Sequence, residues 1–310
     1  MQAGQVSRQD LEFAYKYPFS SEAKELIKKL GQNKYEEKFA TAALLRVNEA
    51  LEKSRVEFVS TSYEDLMKTY LISYVYARML VSATGDLYLI KRFAAAEAER
   101  AASALAVDSL ETVAKVSNEL GIKTSAADSK VNIDVFEFLK FAAGAEGLHL
   151  LSMSISNGTV SMSKEQSILL AKSAIAAEIL KGLPIPKSSL PGEIIAMASG
   201  IRLPSQKIAP AVTGGKYEWI EKLLLTPIPD VRHRSVNLIL APYLVNVRKL
   251  DENTAANVII EYIEKCKQLN PNTRINDSYI KYQCKYAKEH GMRPLSLSRA
   301  RELFKGVIDL

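Results

Sequence analysis

Between Glu22 and Lys181 apolar residues recur at helical spacing almost without a break, and each run stops where the chain has a chemical reason to stop. That periodicity constrains the fold more than any other feature. Ser20 and Ser21 are placed to cap a first helix from Glu22 to Leu30, and Gly31 suits its end. A second helix is expected from Glu36 to about Lys53. Ser62 with Asp65 three positions on reads as a capping box that opens a long apolar helix to about Ala83. Gly85 and Asp86 turn the chain into an alanine-rich helix, Leu87 to about Leu105, whose small residues (Ala94, Ala95, Ala96, Ala98, Ala101, Ala102) allow a neighbour to approach closely. A short helix ending at Gly121 and another from Asn132 to Ala142 follow.

The period changes once, over Leu148 to Met162, where polar and apolar residues tend to alternate about Asn157-Gly158. Both residues of that pair tolerate positive φ, so a two-stranded ribbon is expected there. Ser163 and Gln166 then form a second capping box, opening a helix to about Lys181. The expected fold class is mainly α, a helical scaffold with a small β-ribbon, linked to a small all-helical domain.

At 310 residues two domains are the default. Prolines 184, 186, 191, 204 and 210 lead to Gly214-Gly215, with one short helical stretch from Gly192 to Ser199. We therefore expect a scaffold domain over 1–203, a linker over 204–216 and a basic helical domain over 217–310. Its helices are expected at Tyr217–Leu225, Val231–Leu250, Glu252–Leu269, Asn276–His290 and Ser296–Val307.

The net charge is +6, and it is concentrated. Ten basic residues stand against three acidic ones between 265 and 305, so this segment alone carries +7 and the remainder is near balance. A polyanion should meet this region first, although a basic face is also what an ordinary solvated surface looks like. No run of some twenty apolar residues and no secretory leader is visible, so neither a membrane span nor export is expected. Two cysteines, Cys266 and Cys284, are too few for a disulfide scaffold or a four-thiolate metal site, which points to a reducing, intracellular compartment.

No Asp-x-Asp pair, phosphate-binding GxxxxGK[ST] loop or Gly-x-Ser-x-Gly elbow is present, and the three histidines are scattered. Glu97 and Glu99 have two-residue spacing, but on a helix that sets them about 200° apart, too far round to share a metal. No catalytic residue and no metal ligand is assigned.

Three constellations could bind nucleic acid or nucleotide. Asp230-Val231-Arg232-His233-Arg234-Ser235 opens a helix, placing two arginines where the macrodipole is already positive. An anion there would resolve the conflict, since unpaired amides and two guanidinium forks make a phosphate site. Alternatively the arginines lean back onto carboxylates such as Asp230. Tyr279, Tyr282 and Tyr286 recur at helical spacing beside Lys281, Lys285 and Lys288. Such a stripe is either core, with hydroxyls at the rim and lysines in solvent, or a base-stacking face with phosphate partners. In Ala241-Pro242-Tyr243-Leu244-Val245-Asn246 the proline should kink the helix, with Asn246 one turn on either as part of the packing or as a contact to base or ribose.

Two stretches resemble known proteins. Residues 10 to about 200 are similar to the N-terminal domain of the archaeal DNA primase large, non-catalytic subunit. The resemblance lies in Tyr17-Pro18-Phe19, the long helix from Ser62, Lys91-Arg92-Phe93-Ala94-Ala95-Ala96-Glu97-Ala98, Phe136-Glu137-Phe138-Leu139-Lys140 and Ser156-Asn157-Gly158-Thr159-Val160. Residues 217–310 resemble the small third, non-catalytic (PriX-like) subunit of certain archaeal primases. Here the matching residues are Arg232-His233-Arg234, Leu240 to Asn246, Ile263-Glu264-Lys265-Cys266, Tyr279-Ile280-Lys281-Tyr282 and Pro294-Leu295-Ser296-Leu297.

The resemblance implies a regulatory subunit of a primase, a DNA-templated nucleotidyltransferase whose active site and divalent metals lie on a partner, the catalytic small subunit. It implies DNA template and ribonucleoside triphosphate as further partners, no membrane, and a cytoplasmic, nucleoid-associated location. Carried onto this chain, it places a triphosphate near Arg232 and Arg234, with Asn237 one turn on and Tyr243, Asn246 and Lys281 as further nucleotide contacts. Large subunits usually end in an iron–sulfur domain held by four cysteines, which this sequence cannot supply, so no cofactor is expected in this chain. The apolar helices of 62 to 105 are where a docking surface for the partner is first sought. The rival reading is a helical interaction adaptor whose basic domain binds nucleic acid without specificity.

Overall fold

The computed structural model describes residues 7–30, 35–53, 55–127, 129–142, 145, 147–204, 216–231 and 233–304. Gly31, Arg232, residues 205–215 with Gly214-Gly215, and the end expected for the last helix lie outside the described residues. The chain divides into two compact units, 1–201 and 202–310, and each is mainly helical or wholly so among the described residues.

Unit 1 begins with a helix that periodicity from Glu22 onward did not disclose, α1 (Arg8–Lys16), capped by Ser7, whose hydroxyl accepts from the Asp10 amide at 3.1 Å. Leu11, Ala14 and Tyr15 are the face it buries. Helix α2 (Ser21–Leu30) is capped by Ser20, whose Oγ accepts from Ala23 N at 3.1 Å. Helix α3 (Glu37–Lys53) packs on the long α4 (Glu64–Thr84). The Ser62–Asp65 capping box does not form. Tyr63 occupies the cap position with no side-chain bond, and the helix starts a residue later with Glu64 and Asp65 against its positive end. Gly85 ends α4 in the left-handed region at φ 68°, and Asp86 caps α5 (Leu87–Val107) by accepting from Leu89 N at 2.8 Å.

Helix α5 is buried on most of its circumference. Ala94, Ala96, Ala98, Ala101, Ala102 and Ala104 let α8 (Lys164–Leu180) lie against it. Ser163 and Gln166 cap α8 reciprocally, at 2.8 Å and 3.3 Å. Inside this bundle Glu97 and Arg46, 2% and 3% exposed, form a two-pronged ion pair, with Arg46 Nη2 donating to Glu97 Oε2 at 2.6 Å and Nε to Oε1. Arg100 donates to the carbonyls of Tyr15 and Lys16, at 2.7 and 3.1 Å, and so ties α5 to α1. Glu99 faces away and pairs with Lys172, so the two glutamates are separated as helical spacing requires.

The expected ribbon belongs to a larger sheet. After α6 (Leu110–Glu119) come β1 (Thr124–Ala127), β2 (Lys130–Asp134), α7 (Val135–Ala142), β3 (Ser154–Ser156) and β4 (Thr159–Met162). They form an antiparallel sheet in the order β1-β2-β4-β3. Asn157 and Gly158, at φ 49° and 75°, make the turn between β3 and β4. Residues 132–134, read as the start of a helix, are strand. Val131 and Ile133 alternate inward and pair with Met162 and Val160, and the helix begins only at Val135. Ile122, Val131, Ile133, Phe138, Val160, Met162 and Leu170 form the core under this sheet. Helix α9 (Gly192–Ala198) packs on α4.

Unit 2 contains α10 (Glu218–Leu225), α11 (233–247), α12 (Glu252–Leu269), α13 (Asp277–Glu289) and α14 (Leu297–Leu303). Asp251, Asn276 and Ser296 cap the last three through their side chains. Helix α11 starts with α geometry at His233–Ser235 and widens to π geometry over Val236–Leu240 and Tyr243–Val247. Pro242 supplies the cause, because it has no amide to donate to the Leu238 carbonyl and its ring crowds that oxygen. Bonds five residues apart take over, Ala241 N to Val236 O and Arg248 N to Tyr243 O. The expected kink is thus taken up as a widened helix. None of the described helices is long and apolar enough to cross a membrane.

Candidate nucleic-acid interface

The basic unit presents two adjoining features, the first turn of α11 and the outer face of α13. Arg234 stands exposed in that first turn and makes no hydrogen bond or ion pair among the described residues, so it does not lean back onto a carboxylate. His233 beside it is exposed, with its ring edge-on to Tyr279 at 4.8 Å, and the Tyr279 hydroxyl donates to the His233 carbonyl at 3.3 Å. Arg232 lies outside the described residues. One turn on, Asn237 is half-buried with its Oδ1 enclosed and lacking a hydrogen-bond partner among the described residues, and the Ser235 hydroxyl is in the same condition. Such atoms are costly to leave unpaired, about 1–3 kcal/mol each.

Two of the anticipated nucleotide contacts are occupied by the fold. Tyr243 is 2% exposed and donates its hydroxyl to Glu221, which also receives Arg248. Burial, then the Glu221 hydrogen bond, pushes the Tyr243 phenol up to about 12. Asn246 donates from its amide nitrogen to the carbonyls of Ala287 and Met292, both at 2.8 Å, and so satisfies the end of α13. Both N–H groups of this amide are thus engaged within the fold. Lys281 is exposed and makes no ion pair among the described residues.

The tyrosine stripe is not core. Helix α13 buries Ile280, Cys284 and Ala287, at i, i+4 and i+7, and this rotates Tyr282 and Tyr286 outward to 59% and 38% exposure. The two rings stack at 6.0 Å and 26°, and His290 stacks on Tyr286 at 4.0 Å and 26°. The signal was legible in the small apolar residues between the tyrosines. Cys266 and Cys284 are both buried, and burial pushes the Cys284 thiol up to about 12.

In unit 1 the helices of 62 to 105 turn their large apolar residues inward: Met67, Leu71, Tyr74, Leu80, Leu89 and Phe93 are all core. Large apolar side chains are exposed at Tyr63, Leu66 and Leu87 within this stretch, and also at Phe136 (77%), Leu139 and Leu151 and at Ile155 on the edge strand β3.

Comparison with known proteins agrees with both sequence resemblances. Residues 217–308 match the family model Primase X. The DNA primase large subunit PriL of Methanosarcina mazei is 27% identical to this chain over 192 residues, 59% of this chain and 51% of the relative. PriL of Methanocella arvoryzae is 36% identical over 114 residues, 36% of this chain and 31% of the relative. PriL of Methanococcoides burtonii is 28% identical over 202 residues, covering 57% and 52%. The chain spans about half the length of most of these curated relatives. The chain is therefore similar both to primase large subunits and, over 217–308, to Primase X.

Proposed function

We propose that this chain is a non-catalytic subunit of a DNA primase, acting in RNA primer synthesis for DNA replication. Unit 1 docks the catalytic small subunit, which carries the active site and its divalent metals. Unit 2 helps bind the initiating ribonucleoside triphosphate and the template. The reading places the chain in the cell interior with the nucleoid.

One observation carries the reading: a chain similar to primase large subunits bears, in a stretch that matches Primase X, an Arg234 that is exposed and unpaired among the described residues at the first turn of a helix. Free helix amides and a guanidinium together favour a phosphate, and Arg232 adjoins them in sequence. The contribution to catalysis is positional. Holding one nucleotide on unit 2 while the partner holds the other replaces a bimolecular encounter by an intramolecular one, raising effective concentration. Tyr243 and Asn246 shape the helix that presents the arginines, and Lys281 offers a further cation. Asn237, one turn on from Arg234, has an enclosed oxygen that a repositioned side chain could turn to ligand.

A fluorescent ribonucleoside triphosphate titrated against the chain tests this. Arg232→Ala with Arg234→Ala should weaken binding about 10- to 100-fold. With the catalytic partner, dinucleotide formation should fall by a similar factor while extension of a preformed primer is unchanged. If salt alone governs binding and the double variant is normal, the adaptor reading takes its place.

A further inference from the structure

We infer that Tyr279, Tyr282, Tyr286 and His290 form a stacking track for an unpaired nucleic-acid strand, running along α13 away from the arginine end of α11. The choice of a nucleic-acid occupant rests on the proposed function. The geometry stands on its own. Tyr279 touches His233, beside Arg234, so the run begins at the proposed triphosphate site. It then follows one helix face at spacings of three, four and four residues, covering about 17 Å at the α-helical rise. A strand of about five nucleotides, at ~3.4 Å per step, can run its backbone beside this length while a base stacks at its open end.

The rings are ordered in advance. Tyr282, Tyr286 and His290 are already near-parallel, and the His290 Nδ1 is held by the Tyr286 carbonyl at 2.9 Å, so that nitrogen carries the proton. A surface fixed before binding loses less conformational entropy when a ligand arrives. Tyr282 ends the stack in solvent at 59% exposure, where an unpaired base extends it as the next ring. Every base has a π-face, so such a track is indifferent to sequence, whereas a duplex keeps its base faces covered.

Charge complements the rings. Lys281 and Lys285 lie one turn apart, about 100° round the helix from the tyrosines, where a sugar–phosphate backbone would pass. Lys281 is unpaired among the described residues, and Lys285 meets only the exposed Glu289 at 3.8 Å, a contact weak enough for a phosphate to displace. The +7 charge between 265 and 305 suits a polyanion and opposes most protein partners lacking an acidic face.

Anisotropy of fluorescein-labelled dT12 with the whole chain tests the track. Tyr282→Ala with Tyr286→Ala should weaken dT12 binding at least about tenfold, with the salt slope unchanged, since the phosphate contacts remain. Tyr282→Phe with Tyr286→Phe should bind normally, which separates stacking from loss of the hydroxyls or of the fold. Blunt duplex of the same length should be unaffected by either pair. Affinity for dT12 within twofold of wild type in the alanine pair overturns the inference, as does equal loss toward duplex, or a loss confined to capture of the catalytic subunit. The arginine variants of the previous subsection separate the two readings: normal triphosphate binding there sinks the initiation site while leaving the dT12 result to decide the track.

Discussion

The Leu238 carbonyl, which Pro242 leaves without its helical donor, accepts instead from the Leu295 amide at 3.1 Å. This one bond explains how a proline survives near the middle of α11. The segment before α14 provides the missing donor, and the helix widens on either side of the proline. Asn246, one turn further, returns the favour by closing the end of α13 and the Met292 carbonyl beyond it. The helix that presents Arg234 is therefore set by contacts with α13 and the segment after it.

Asn246→Ala tests the strut. It leaves two carbonyls without donors and should lower the stability of unit 2 by about 1–3 kcal/mol in urea denaturation. At temperatures where the variant remains folded, triphosphate affinity should be retained within about twofold. A loss of affinity with unchanged stability would return Asn246 to the list of direct contacts.

The Tyr243–Glu221–Arg248 cluster gives unit 2 an alkaline limit. Folding raises the phenol from its ordinary value near 10 to about 12, through burial and the Glu221 bond. For a group raised on folding, the stabilisation is complete below the unfolded value. It declines as pH climbs from about 10 toward 12, where only the unfolded chain gains by ionising. Stability measured over that window should fall more steeply for wild type than for Tyr243→Phe. Parallel curves would show that the hydroxyl is not held as described.

What could be read from sequence follows from how local the physics is. Asp86, Ser163 with Gln166, Asn276 and Ser296 act on amides two or three residues away, and each caps where local chemistry places it. The Asn157-Gly158 turn is equally local. The pairing of Ile133 with Val160 is not, so a strand with one inward-facing side hid within what looked like a helix start. Ser62–Asp65 has the spacing of a box but lost to a start at Glu64. At the interface, Arg234 stands in a turn the sequence could mark. The outward turn of Tyr282 and Tyr286 depended on which of two stripes α13 buries, a choice that the stripes' own spacing left open.

The Arg46–Glu97 pair joins residues 51 positions apart and was invisible to any local pattern. Both groups are almost wholly enclosed, and Arg46 also donates to the Tyr70 carbonyl at 2.9 Å. Glu97→Ala strands a buried guanidinium and should cost unit 1 about 3–5 kcal/mol. Replacing both partners, Arg46→Met with Glu97→Leu, should recover most of that loss. If the double replacement is as unstable as the single, the cost arises from packing around α5 and not from the charge left behind.

Phe136, Leu139, Leu151 and Ile155 place large apolar side chains in water on one layer of helix and sheet, and β3 leaves an edge of the sheet unpaired among the described residues. Buried against a partner, groups of this size contribute about 1.5–3 kcal/mol each, and an open strand edge offers backbone bonds as well. The helices of 62 to 105 bury Met67, Leu71, Leu80, Leu89 and Phe93 and expose Leu66 and Leu87. Under the proposed function we offer the layer of Phe136, Leu139, Leu151 and Ile155 as a docking surface for the catalytic subunit. Phe136→Asp with Leu151→Asp should abolish co-purification with that subunit while leaving the melting temperature and dT12 binding unchanged, since both side chains are exposed. Retained co-purification would move the docking surface elsewhere on unit 1, whereas lost dT12 binding would mean that the substitutions act on more than this layer.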